Sequence, residues 1–292
     1  MSLKTLPAQL KNLFTKRMHK LAFRLLEPMD RWAFRPYYRS PLAVRPHKDT
    51  DDYLQRWAEV KQQSHPEIVT FVQKTGFAID EEWFQDLMLL TRMRVTPNPP
   101  VASEHGRILY STLSAYVAER EFESVNILET GTHLGFSALC LAKALQDQQQ
   151  PGKIITMDLI PHDVKMYWNS IADEQGPQTR LELLRDYQDL LDQYLIFLQG
   201  DTRLQMKKLQ LSRVHYAALD GAHTYEDIHL EVASLQNKQQ PGDMIFFDDY
   251  TLTQFPEVVK AIDEVCEKYQ YSQEVLKCSE GPDKGYVVAV KL

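Results

Sequence analysis

Two short stretches concentrate groups able to do chemistry: "DGAHTYED" at 220–227 and, about twenty residues on, "FFDDY" at 246–250. Asp220 and the adjacent Asp248 and Asp249 each follow an apolar run. Neighbouring carboxylates repel and burial raises the cost of ionising them, so they need a compensating cation, a hydrogen-bond network or exposure to water. Three carboxylates meeting at neighbouring strand ends, completed by water and substrate oxygens, suit a hard octahedral ion such as Mg²⁺. His223, three residues past Asp220, is placed to face the same cleft and to take a proton near neutral pH. Its competing reading is a surface histidine that begins a helix. Asp249 has an alternative too, capping the next turn and leaving two ligands.

The elements that must position these groups follow from the spacing of apolar residues. Beyond residue 121, short apolar runs alternate with helical stretches: "SVNIL" 124–128, "KIITM" 153–157, "YLIFL" 194–198, "VHYAAL" 214–219 and "DMIFF" 243–247. Such runs read as strands buried on both faces of a parallel sheet and joined by crossover helices. "SQEVLKC" 272–278 and "GYVVAVKL" 285–292 are joined by a "SEGPDKG" turn and can pair antiparallel at one edge. The expected fold is α/β, a Rossmann-like, mostly parallel seven-stranded sheet with an antiparallel C-terminal edge strand and a helical N-terminal extension. Helical periods are expected at about 51–62, 66–75, 80–92 and 104–120, with "TPNPP" at 96–100 as a loop between the last two. Three regions result: a basic amphipathic extension over 1–50, a helical cap or lid over 51–100 and a catalytic domain over 101–292.

In open parallel sheets ligands bind beyond the carboxyl ends of the strands. The first strand ends in "ETGTHLGFS" (129–137), whose Gly131 and Gly135 permit a tight turn and close approach of backbone to ligand, although a structural strand-to-helix turn looks similar. The second ends at Asp158, able to accept hydrogen bonds from a ribose diol or to act as a cap. The third ends in "QGDT", where Asp201 faces a base edge or caps a helix.

With these residues laid out, the segment from about 101 to 292 resembles the class I S-adenosylmethionine-dependent methyltransferases, and within them the metal-dependent O-methyltransferases of the catechol and macrocin types. "ETGTHLGFS" is similar to their first motif, and "DGAHTYED" with "PGDMIFFDDY" to the macrocin-type pattern. The resemblance implies S-adenosylmethionine held by Val101, Glu129, Gly131, Thr132, Gly135, Ser137, Asp158, Asp201 and Asp220. It further implies Mg²⁺ or another divalent cation on Asp220, Asp248 and Asp249, with His223 as the base. The acceptor would be a hydroxyl of a sugar, glycoside or other small diol-bearing metabolite. The segment 160–193 is longer than a minimal fold needs; it is expected to shape a substrate pocket with Tyr167 and Trp168 as walls, or to form an oligomer contact. Arg92, Arg94 and His105 are read as solvated charge or as contacts to an anionic substrate.

Composition bounds the rest. The chain has 292 residues, 43 % of them hydrophobic, and three cysteines in separate contexts, which suggest neither a disulfide framework nor a zinc site. The expected setting is cytoplasmic, with no signal peptide or spanning helix. Net charge is −7, divided between 11 Lys/Arg against 2 acids in residues 1–48 and 22 against 38 in the remainder, or +9 and −16. The acidic catalytic region speaks against nucleic acid as a partner. Leu6, Leu10, Leu13, Phe14, Met18, Leu21 and Leu25 with interleaved Lys and Arg make a basic amphipathic helix. It is expected to pack on its own domain or on a second copy in a homo-oligomer, or to give peripheral membrane contact through residues 1–30. Two alternatives to the methyltransferase are an NAD-dependent dehydrogenase, resting on Asp158 and the glycine turn, and a non-catalytic membrane-associated binding module.

Overall fold

The computed structural model describes residues 49–94, 103–221, 223–278 and 284–292. The basic helix, the "TPNPP" loop and Val101 lie outside these residues.

Four helices precede the sheet: α1 (Thr50–Val60), α2 (Pro66–Thr75), α3 (Glu81–Thr91) and α4 (Glu104–Ala118). Their ends follow local chemistry. Asp49 and Asp52 form a reciprocal capping box at the start of α1, Pro66 sits in the first turn of α2, and Gly76 takes the left-handed conformation (φ 79°) that ends it.

All seven expected strands form: β1 (Val125–Thr130), β2 (Gly152–Asp158), β3 (Leu195–Gln199), β4 (Tyr216–Leu219), β5 (Met244–Phe247), β6 (Tyr271–Lys277) and β7 (Gly285–Lys291). Between them run α5 (Phe136–Asp147), α6 (Arg180–Leu183), α7 (Gln188–Tyr194), α8 (Thr202–Lys208), α9 (Tyr225–Leu235) and α10 (Pro256–Tyr269). The order across the sheet is β3-β2-β1-β4-β5-β7-β6. Strands β1 to β5 pair in parallel, whereas β7 is antiparallel to both β5 and β6, so the C-terminal strand, expected at the edge, lies between them and β6 forms the edge. That edge strand carries mostly exposed, polar and charged positions such as Glu274 and Lys277, which discourages pairing with another chain.

Side-chain alternation divides the core into two layers. Ile127, Tyr216, Ala218 and Phe246 face a cluster shared with α1 to α5, while Leu128, Ala217, Leu219, Ile245 and Phe247 face α9 and α10. Every residue of β4 is buried. With each aliphatic or aromatic side chain contributing roughly 1.5–3 kcal/mol on burial, this double-faced packing fixes the strand register.

That register positions the site. Thr130 lies beside Met157 on one side and Leu219 on the other, and Leu219 lies beside Phe247. The residues that follow, Gly131, Asp158, Asp220 and Asp248, therefore emerge in one row at the carboxyl edge.

Segment 160–193 folds as a compact unit against this edge. Met166 bridges to Gln178, the Trp168 indole N–H donates to the Gln178 carbonyl (2.9 Å), and a Ser170–Asp173 capping box opens a 3₁₀ turn. Trp168 is buried in the core, so it serves as packing for this segment and not as the pocket wall expected from the sequence.

Candidate active site

A cavity of about 310 Å³ opens at the carboxyl edge, lined by Gly131, Asp158, Gly200, Asp201, Thr202 and His223 among others. A larger one, about 570 Å³, lies between Phe71, Tyr116, Arg120, Met244 and Val290, near the amino end of β5 and away from the row of aspartates. In a parallel sheet the helix N-termini and loops converge at the carboxyl ends, which makes the smaller cavity the candidate site.

Its rear wall is the β1–α5 loop. Gly131 has φ +92°, and a Cβ there would lie 2.3 Å from the Asp220 carbonyl oxygen, so only glycine allows the loop to meet the end of β4. Gly135 (φ +90°) opens α5. Thr132 is buried, with its N–H directed at the Met157 carbonyl (3.3 Å) and its hydroxyl against that of Thr156. Glu129, 1 % exposed, accepts from the Thr156 hydroxyl through Oε2, while Oε1 has no partner. Burial, only partly offset by Ser137 and Thr156, pushes its carboxyl up to about 7. An orphaned buried carboxylate oxygen at a glycine-rich turn is a ready acceptor for a ligand's ammonium group.

Asp158 lines the cavity and also does structural duty: Oδ2 accepts from the His133 N–H (2.5 Å) and Oδ1 from the Ile160 N–H (2.9 Å). Asp201 caps α8, accepting from the Arg203 N–H (2.9 Å), and borders the cavity. Arg203 holds its carboxyl below the usual range.

The aspartate row is organised by a residue that the sequence reading missed. Lys284 Nζ lies 2.7 Å from Asp248 Oδ1 and also contacts Asp249 Oδ1. Asp249 adopts a left-handed φ of +59° and its N–H donates to Asp248 Oδ1 (2.7 Å). Its Oδ2 is 2.8 Å from His223 Nδ1. Burial works against an ionised Asp248, but Lys284 and the Asp249 N–H outweigh it and hold the carboxyl down at about 2. Asp220 goes the other way: burial, then the charge of Asp248, drives its pKa well above the normal range. The hydrogen bond to Asp249 raises the His223 pKa against the opposing effect of burial. The His223 ring is about half exposed and stacks on Phe255, with centroids 5.1 Å apart.

The ligand-forming group brought together among the described residues is therefore Asp220, His223 and Asp249, with atoms within 4.8 Å of one another, and Asp248 is instead paired to Lys284. A signal for Lys284 existed in the "DKG" that opens β7. Using it required knowing that β7 runs antiparallel beside β5, which delivers the start of one to the end of the other.

Two further residues were not anticipated. Arg180, fully buried, donates from Nε to the His133 carbonyl (2.7 Å) and sits 3.6 Å from Asp158 Oδ2. Glu231 is fully buried on α9, and burial pushes it up to about 8. His105 is buried against Phe136 and held neutral, with a pKa of about 3 through burial and the nearby Arg92. Arg94 reaches His133 Nδ1 (2.9 Å) and Arg92 lies over the Phe136 ring, so all three pack against the β1–α5 loop or the start of α5.

Residues 128–250 match the family model of a methyltransferase domain, a span that holds every strand-end residue from Glu129 to Asp249. By this match the stretch that carries the row of strand ends is similar to a methyltransferase domain. No curated protein sequence matches the chain. Among solved structures it is similar to the O-methyltransferase NovP, at 18 % identity, covering 64 % of this chain and 79 % of that one with a TM-score of 0.48. It is also similar to an O-methyltransferase from Bacillus cereus in complex with SAH (16 % identity, 73 % and 92 % coverage, TM-score 0.47). A third is the O-methyltransferase TomG from Streptomyces achromogenes, involved in tomaymycin synthesis and in complex with SAM (15 %, 74 % and 92 %, 0.49). These likenesses are remote, and no substrate follows from them for this chain.

Proposed function

We propose that the chain is an S-adenosylmethionine-dependent O-methyltransferase that methylates a hydroxyl of a sugar, glycoside or other small diol-bearing metabolite, with His223 as general base. The observation that carries this reading is the His223–Asp249 pair at the mouth of the cleft bounded by the Gly131 loop.

The residues fit the cofactor. Glu129 Oε1 offers an unfilled acceptor, Gly131 leaves room where a Cβ cannot go, and Asp158 and Asp201 border the cavity. Ser137 in the first turn of α5, with Thr132 and Gly135, completes the loop. S-adenosylmethionine, when bound, supplies an electrophilic methyl group on a sulfonium. The protein's part is to orient the acceptor oxygen in line with that methyl and to remove the hydroxyl proton as the O–C bond forms and the S–C bond breaks. With Nδ1 turned to Asp249, His223 keeps Nε2 as the proton acceptor, and Asp249 stabilises the imidazolium that results.

The magnesium expectation asks Asp220, Asp248 and Asp249 to present free oxygens together. As arranged, Lys284 engages one oxygen of Asp248 and one of Asp249. A second reading is favoured by the grouping of Asp220, His223 and Asp249. There a divalent ion would take His223 as a ligand and remove it as the base.

Transfer of labelled methyl from S-adenosylmethionine to a panel of sugars, glycosides and catechols tests the proposal. Label is expected in an O-methyl product with the native chain and not with His223→Ala; label in N- or S-methyl products, or an undiminished rate in the variant, overturns it.

A further inference from the structure

Consecutive carboxylates that are 6 % and 8 % exposed require a positive partner, and in this protein that partner is part of the chain. Lys284 stands immediately before β7, whose Val287 pairs with Phe247 at the end of β5. The antiparallel run thus carries its ammonium to the point where β5 releases Asp248 and Asp249. There Nζ contacts one oxygen of each, and the side chain is only 16 % exposed. Asp248 Oδ1 also takes the Asp249 N–H, and the second oxygen of Asp249, Oδ2, faces His223. A divalent ion seeking these carboxylates meets a buried ammonium that must first be expelled, since the two cations repel at contact range.

We propose that Lys284 is the resident cation of this cleft and that the site operates without a divalent ion. Lys284 is a positioning residue: by tying down Asp248 and Asp249 it holds the carboxylate that orients His223. The inference rests on the methyltransferase reading of the cleft. It also relaxes the acceptor requirement, because a metal that grips two vicinal hydroxyls is replaced by a histidine that needs one.

The test is a titration of the full chain with Mn²⁺ as the probe, followed by electron paramagnetic resonance and calorimetry, with S-adenosylhomocysteine present. The native chain is expected to bind S-adenosylhomocysteine but no Mn²⁺ at millimolar concentration. Lys284→Met, with the carboxylates freed, is expected to gain Mn²⁺ affinity by at least about tenfold, and Lys284→Arg, which restores a cation, to stay blind to it. Submillimolar Mn²⁺ binding by the native chain, weakened by Asp249→Asn, overturns the proposal, as does a folded Lys284→Met that gains nothing. If Lys284→Met fails to fold, the native titration and Lys284→Arg still decide. Absence of S-adenosylhomocysteine binding by the native chain would instead count against the methyltransferase reading itself.

Discussion

Single atoms decide whether His223 can be a base. Its Nδ1 lies 2.8 Å from Asp249, and that hydrogen bond raises its pKa above 6.5. A base must be neutral to accept a proton, so turnover should fall as pH drops below this raised value. Asp249→Asn removes the charge that raises it and should move the acid limb of the kcat profile to lower pH; a limb that stays in place would assign it to another group. His223→Ala should lower kcat by roughly 10²–10⁴-fold, the usual contribution of general base catalysis, with S-adenosylhomocysteine affinity nearly unchanged. At this scale the sequence was informative about Asp220, His223 and Asp249, because each sits just beyond an apolar run. For Lys284 the local signal could not be used alone, because its partner strand is nearly forty residues earlier in the chain. The pairing that joins them is a tertiary fact, and no local pattern encodes it.

Elements were the most legible level. Buried strands announce themselves as continuous apolar runs, and all seven appear at or within a few residues of their expected positions. Less readable was segment 160–193, where Trp168 looked like a pocket wall and is core. A buried aromatic and an exposed one have the same sequence signature when no regular period surrounds them. This segment sends Arg180 under the β1–α5 loop to hold the His133 carbonyl. Arg180→Met leaves that carbonyl and Asp158 without their cation and should destabilise the fold by about 3 kcal/mol in urea titration, the usual cost of breaking a buried charged contact. A variant as stable as the native chain would contradict this. Gly131→Ala meets both a left-handed φ and a 2.3 Å contact with the Asp220 carbonyl. It should cost about 1–3 kcal/mol and sharply weaken S-adenosylhomocysteine binding, both readable in one calorimetric series.

The whole molecule adds a pH dependence of stability. Burial raises Glu231 from 4.5 to about 8 and Glu129 to about 7, so the folded chain keeps protons that the unfolded chain releases above pH 4.5. Their contribution to stability is complete below pH 4.5 and is lost as pH rises towards 7 and 8. Glu231→Gln keeps the shape without the charge and should flatten the decline in Tm between pH 5 and pH 8; an unchanged slope would mean the carboxyl is ionised in the folded state. No helix among the described residues is long and apolar enough to cross a membrane. The division of charge into +9 and −16 was plain from the sequence, but the basic extension lies outside the described residues.

The central claim is that the cleft at the carboxyl edge takes S-adenosylmethionine, with Glu129, the Gly131 loop and Asp158 around it. Calorimetric titration of the full chain with S-adenosylhomocysteine and, separately, with NAD tests this most directly. The account predicts one S-adenosylhomocysteine per chain, weakened by Asp158→Ala, and no heat from NAD; binding of NAD in its place, or of neither, would contradict it.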